Sequence, residues 1–202
     1  MAKKTLEPDL VALAFQLVAE RGWQHLSLTE LARRTGLSLA SVHRQVPNRR
    51  ALLRALARRL DERMLDVTAT ELDGMTPRER VFELVMRRLD AMAPYKAGIR
   101  AVARQVPLDP ALLAMSACTL GRLSRALLDV AETEHGPLVA MMARKVLAAI
   151  YVRVVNVWLD DDTPDLARTL AELDHRLQQA EGLARWTGGF GRRRDAPAAA
   201  PG

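Results

Sequence analysis

A chain of 202 residues, 49 % hydrophobic and 27 % charged, buries a substantial core and is not a disordered chain. Its single cysteine, Cys118, excludes an internal disulfide and a cysteine-based zinc site. The net charge of +6 lies wholly in residues 1–65, which hold 12 Lys/Arg and 6 Asp/Glu against 18 of each in the rest, so the N-terminal third is expected to meet a polyanion.

The apolar spacing is helical throughout, with no period-2 strand, which predicts an all-α fold of about nine helices, three small ones first. The first helix is expected over 5–21, with Leu6, Leu10, Leu13, Leu17 and Val18 on one stripe and Gly22 at its end. Ser27-Leu28-Thr29-Glu30 reads as a capping box opening a second helix, which Gly36 closes as a residue tolerant of positive φ. Ser38 caps a short third helix that stops before Pro47. Asn48 caps a fourth, expected to reach about Thr70 with Leu52, Leu53, Leu56, Leu60 and Met64 inside.

Asp73-Gly74 is a turn, and Thr76-Pro77 starts a fifth helix that Pro94 breaks. A sixth is expected over 95–105, and a long apolar one over 109–133, closed by Gly136-Pro137. Residues 138–159 form the eighth, and Thr163-Pro164 begins a last one reaching about Arg185. The tail 187–202, rich in Gly, Pro and Ala, is expected to be disordered. No apolar run reaches the roughly 18 residues of a membrane span. MAKKTLEPDL lacks the apolar stretch of a signal peptide, so the chain is expected in the cytoplasm.

Two helices joined by a glycine turn, 28–35 and 39–46, have the spacing of a helix-turn-helix, about 27–46 in all. On the second of them Val42 and Val46 face inward, which leaves Ala40, Ser41, His43, Arg44 and Gln45 outward and Leu39 shared between core and groove. Arg44 suits guanine and Gln45 adenine. Small Ala40 lets the backbone approach closely, while Thr29, Ser38 and Ser41 offer hydroxyls to phosphate. Arg49 lies at a helix start, where exposed amides already favour an anion, and Arg50, Arg33 and Arg34 add phosphate contacts.

AERGW (19–23), SLTELARRTGLS (27–38) and LASVHRQVPNRRALL (39–53) resemble the DNA-binding head of the TetR/AcrR family of bacterial transcriptional regulators. The resemblance implies a head at 5–65, an effector-binding and dimerisation body at 66–186, and no enzymatic activity or cofactor. In the family the positions matching Ser38, Leu39, Ala40, Ser41, His43, Arg44 and Gln45 face a palindromic DNA operator, and Arg49 stands for a phosphate-binding lysine. Here Ala40 replaces the usual glycine, His43 the usual tyrosine, Val46 the usual phenylalanine and Leu39 a frequent lysine.

The resemblance also implies a homodimer built on the last two long helices. Val139, Met142, Val146, Ile150 and Val157 are the candidates on one, Leu166, Leu170, Leu173 and Leu177 on the other. It further implies a pocket for a small effector, with Phe82, Met86, Leu89, Met92, Tyr95, Leu112, Met115 and Trp158 as candidate lining. Methionine in that set hints at an apolar ligand.

Residues 148–181 are similar to the C-terminal part of lipid-binding ubiquinone-biosynthesis accessory proteins built on the same fold, which do not bind DNA. Asp160-Asp161-Asp162 in that stretch reads as a solvated connector ahead of a Thr163 cap rather than a metal site. The four histidines are scattered, with neither nucleophile–base spacing nor a phosphate-cradling glycine loop, which speaks against an enzyme.

Overall fold

The computed structural model describes residues 9–132 and 136–186, the last four of these by backbone alone. Thr5 and Leu6, the early charges Lys3, Lys4 and Glu7, His135 and the tail from 187 lie outside the described residues. Among the described residues there are nine α-helices and no strand: α1 (Leu10–Arg21), α2 (Leu28–Thr35), α3 (Leu39–Gln45), α4 (Arg49–Leu65), α5 (Pro77–Met92), α6 (Lys96–Ala103), α7 (Pro110–Val130), α8 (Pro137–Leu159) and α9 (Ala167–Trp186).

Local capping sets most of these ends. Asp9 opens α1, accepting from the amides of Val11 (3.1 Å) and Ala12 (3.2 Å). Asn48 accepts from Ala51 N at 2.9 Å and opens α4 as expected. Thr76 and Glu79 close a full capping box on α5: the Glu79 carboxylate accepts from Thr76 N at 2.7 Å, and Thr76 Oγ1 accepts from Glu79 N at 3.3 Å.

Other ends differ from the sequence expectation. The fourth helix stops at Leu65 rather than Thr70, because Thr68 and Glu71 form a capping box that starts a separate 3-10 turn, Ala69–Leu72. The last helix starts at Ala167, not Thr163. Asp161, completely buried, accepts from Thr163 Oγ1 (2.6 Å), Thr169 N (2.9 Å) and Thr169 Oγ1 (2.7 Å). Asp161 thus holds the first turn of α9 from eight residues before Thr169, beside the local cap in which Asp165 accepts from Ala167 N at 3.3 Å, and Asp161 is no solvated connector.

The chain divides into two compact units. Among the described residues one comprises 9–62 together with 91–116, the other 63–90 together with 117–132 and 136–186. Residues 91–116, expected from the sequence in the body, therefore cluster with the head. In the first unit α1 packs along α6, with Phe15 edge-on to Tyr95 at 5.7 Å between centroids. Leu10, Phe15, Leu17, Val18, Trp23, Leu31, Val42, Leu52 and Leu56 are among its buried residues. In the second, α8 packs against α9, and Leu84, Leu127, Val154, Trp158 and Leu173 are among its most buried side chains.

By length and composition α7 is apolar enough to cross a membrane, a property that core helices of folded domains share; Arg122 and Arg125 interrupt it, so the expected lack of an unbroken apolar run of that length stands. The mean hydropathy of its most apolar window is 1.3, of which 28 % is buried within the chain.

Candidate nucleic-acid interface

The site is built on the weakest helix of the head. α3 spans seven residues, too few to persist alone, so its position depends on its neighbours. Val42 and the following Val46 are buried at 0 % and 3 % exposure and fasten it to the core. Ser38 starts it, its Oγ accepting from Ser41 N at 3.2 Å. Before it, Gly36 ends α2 at φ 69° and ψ 7°, in the left-handed region, with open space where a Cβ would stand. Glycine is required there by the backbone angle, not by crowding.

The remaining residues of the predicted set stand outward. Thr29, Ser38, Leu39, Ala40, His43, Arg44 and Gln45 are exposed, and Ser41 and Arg49 are half-buried. Leu39 is 52 % exposed, so its side chain belongs to the outer face more than to the core. Arg44 lies along its own helix, donating to Ser41 Oγ at 3.1 Å, and Ser38 Oγ donates to the same oxygen at 3.2 Å. The side chains of Ser38, Ser41 and Arg44 thus form a connected polar row beside Ala40.

Arg49 is tied more tightly than the sequence suggests. Its guanidinium donates to the backbone carbonyls of Trp23 (3.2 Å) and Gln24 (2.9 Å) and lies over the Trp23 ring, 5.8 Å from the centroid. Trp23, almost fully buried, is the platform that sequence reasoning passed over; its signal was the aromatic residue directly after Gly22.

Two expected phosphate contacts are occupied otherwise. Arg33 pairs with Glu30, and Arg34 with Glu20 at 2.6 Å. The Glu30 carboxylate also has Arg21 at 3.5 Å. Only half of the expected capping box exists at α2: Ser27 Oγ accepts from Glu30 N at 3.1 Å, and the Glu30 side chain turns to these arginines instead.

The candidate lining residues fall in both units. Met92, Tyr95, Leu112 and Met115 belong to the first, Phe82, Met86, Leu89 and Trp158 to the second. Leu89, Met92, Tyr95, Leu112 and Trp158 are buried and the other three half-buried. A cavity of about 650 Å³ in the second unit takes in Phe82 from that set, together with Asp73, Gly74, Met75, Arg78, Glu79, Glu83 and Asp174.

Of the candidate pairing residues, Ile150, Leu173 and Leu177 are buried within the chain, and Val139, Val146, Val157, Leu166 and Leu170 half-buried. Met142 is exposed, together with Leu138, Met141 and Val152 on the same helix.

Residues 10–56, covering α1 to α3 and the first part of α4, match the family model of bacterial regulatory proteins, tetR family. Residues 142–184, most of α8 and α9, match the COQ9 family model. No curated protein matches the chain significantly in sequence.

Among solved structures, the TetR transcriptional regulator from Nitrosomonas europaea superposes with a TM-score of 0.74 at 22 % identity, over 89 % of this chain and 99 % of that one. A transcriptional regulator from Rhodococcus sp. gives 0.58 at 22 % identity, over 92 % and 98 %. A TetR variant from Acinetobacter baumannii in complex with minocycline gives 0.53 at 24 % identity, over 89 % and 98 %. The chain thus has the all-helical fold of TetR-family regulators over most of its length, and its N-terminal segment matches that family in sequence as well.

Proposed function

We propose that this chain is a dimeric DNA-binding transcriptional regulator of the cytoplasm, a repressor released when a small apolar effector enters its body. The head, 5–65, binds a palindromic operator, and the body, 66–186, pairs with a second copy and holds the effector. The observation that carries this reading is α3. Its inner residues Val42 and Val46 are buried, and Ser38, Ala40, His43, Arg44 and Gln45 face outward on a helix short enough for a major groove.

The charge distribution supports the same reading. The entire excess of +6 lies in the segment that carries this helix. For the dimer, support comes from the exposed apolar residues Leu138, Met141, Met142 and Val152 of α8. For an organic effector, it comes from the structural neighbour solved with minocycline.

The test is binding of the purified protein to the DNA upstream of its own gene, titrated against salt and unrelated competitor. Specific binding that survives competitor and falls steeply with salt, as several phosphate contacts require, is the expected result. Weak binding that is equal for every sequence overturns it.

The COQ9 match at 142–184 favours a second reading, a lipid-binding accessory protein whose head no longer reads DNA. Bound isoprenoid lipid extracted from the purified protein, together with absent operator binding, would select it.

A further inference from the structure

The fourth helix carries charge where its own electrostatics disfavour it. α4 opens with Arg49-Arg50 and has no carboxylate in its first turn, so two cations stand at the positive end of the helix dipole. From Arg50 the exposed face continues through Arg54 and Arg58, each about one turn further on. Like charges four residues apart on a helix repel. The helical neighbours of Arg54 at three and four residues are Arg50, Ala51, Ala57 and Arg58, so its own helix offers it no carboxylate.

Among the described residues, none of these three arginines makes an ion pair or a side-chain hydrogen bond. Elsewhere in the chain Arg34, Arg59, Arg80, Arg87 and Arg153 each meet a carboxylate. The opposite face of α4 is fully accounted for by the buried Leu52, Leu56 and Leu60. The arginines are therefore not a by-product of packing: Arg50 at the helix start and Arg54 between Arg50 and Arg58 weaken the helix that carries them, while Arg58 has Asp61 and Glu62 one turn further on. A bound polyanion reverses both penalties.

We propose that Arg50, Arg54 and Arg58 form an extended backbone-binding stripe for duplex DNA flanking the recognised half-site. The proposal rests on the DNA-binding reading above and adds a partner surface to it. Only Val46, Pro47 and Asn48 separate α3 from α4, so the stripe begins close to the recognition helix along the chain. Its length is about 12 Å, at roughly 1.5 Å per residue, enough to follow a few phosphates along one strand. The planar guanidinium fork suits phosphate oxygens.

DNA fits better than an acidic protein or a membrane. The intervening Ala51, Leu53 and Ala55 are half-buried, so the stripe presents charge without the exposed apolar or aromatic centre of a protein interface. Between Arg50 and Arg58 no apolar residue is exposed for insertion into lipid; the exposed one on α4 is Leu65, two turns beyond the stripe. Because phosphate contacts position without reading bases, the flanks are bound whatever their sequence.

The experiment uses the full chain and two duplexes from its own upstream region. One is the shortest that keeps specific binding; the other is extended by about 10 base pairs, roughly one helical turn, at each end. The wild type is expected to bind the extended duplex more tightly. Arg54→Ala with Arg58→Ala is expected to match the wild type on the short duplex and lose the gain on the long one, at a melting temperature no lower than that of the wild type, since like charges leave the helix. Arg54→Lys with Arg58→Lys is expected to keep it.

With two phosphates lost per head, the wild-type advantage on the long duplex should shrink about tenfold per head between roughly 50 and 200 mM salt. A wild type that gains nothing from flanks overturns the proposal, as does an alanine variant that weakens equally on both duplexes. Arginine-dependent binding to vesicles of roughly one-third phosphatidylserine, with no flank effect, assigns the stripe to a membrane and also overturns it. A wild type with no specific binding to the short duplex fails the parent reading first, before any variant is compared.

Discussion

Arg49 and Trp23 hold the head together across its sequence: the guanidinium lies 5.8 Å from the ring centroid and donates to the Trp23 carbonyl and to that of Gln24. The first residue of α4 is thereby fastened to the link between α1 and α2, beside the proposed DNA face. Arg49→Ala removes both hydrogen bonds and the stacked cation. The expected cost is about 1 kcal/mol, or a melting temperature lower by roughly 3 °C. Arg49→Lys keeps a cation for phosphate but loses the fork, so it should melt like the alanine variant while retaining more affinity for DNA. If the lysine variant melts like wild type, the clamp contributes nothing.

Arg44 should behave differently, because it sits on the reading face rather than at the anchor. Arg44→Ala is expected to relax specificity at one base pair by about 1–3 kcal/mol and leave the melting curve unchanged. Arg49→Ala should instead weaken all sequences together. Combining the two is expected to abolish operator binding without unfolding the body. Titrating each variant against a panel of single-base operator changes separates the two roles, and intact affinity in the double variant would refute the contact assignment.

What could be read from the sequence follows the range of the interaction involved. Ser27, Gly36, Asn48 and Thr76-Pro77 punctuate the chain because a cap acts within three or four residues, and the structure places helix ends at each; Gly136-Pro137, expected to close the long seventh helix, instead starts the eighth, the seventh having ended at Val130. The inward pair Val42 and Val46 was legible for the same reason, since helical period alone puts them on one face. Interactions over longer separations were not. Asp161 caps α9 from eight residues away, Arg34 finds Glu20 on α1, and residues 91–116 cluster with the head. The inward orientation of Leu173 and Leu177 depends on which face of α9 meets α8, and a stripe of leucines does not say whether its partner is the same chain or another.

One of those long-range contacts leaves no room for error. A Cβ built on Gly98 of α6 would stand 2.5 Å from the Phe15 carbonyl oxygen and 2.9 Å from its Cδ1. An alanine inside a helix ordinarily gains about 1 kcal/mol over glycine. Here the obstacle is backbone oxygen, which cannot rotate away, so α1 and α6 must separate. Gly98→Ala is expected to destabilise by about 1–3 kcal/mol, read as a lower denaturation midpoint. A stabilised variant would mean that the two helices slide freely past each other.

The acid side of the stability curve tests the second unit. Hydrogen bonds from the Thr163 and Thr169 hydroxyls, with their backbone amides, hold the Asp161 carboxyl well below its ordinary 3.8. The Thr68 amide and hydroxyl, with Arg87, lower Glu71 from 4.5 to about 2. A carboxyl with a depressed folded pKa binds more protons when unfolded, so stability rises with pH in this range. The contribution of Glu71 is complete above about pH 4.5 and is lost as pH falls toward 2, whereas that of Asp161 starts to fall near its ordinary 3.8 and continues to fall at lower pH, because its folded carboxyl is held further below the usual range. Asp161→Asn replaces one accepting oxygen by an amide that only donates, leaving either the Thr163 or the Thr169 donors facing a donor. The variant should melt several degrees lower at neutral pH, and its melting temperature should fall less steeply than that of the wild type on acidification, because one titrating carboxyl is gone. Melting curves across this range for wild type, Asp161→Asn and Glu71→Gln decide it: parallel curves at equal melting temperature would remove Asp161 from the account of how α9 begins.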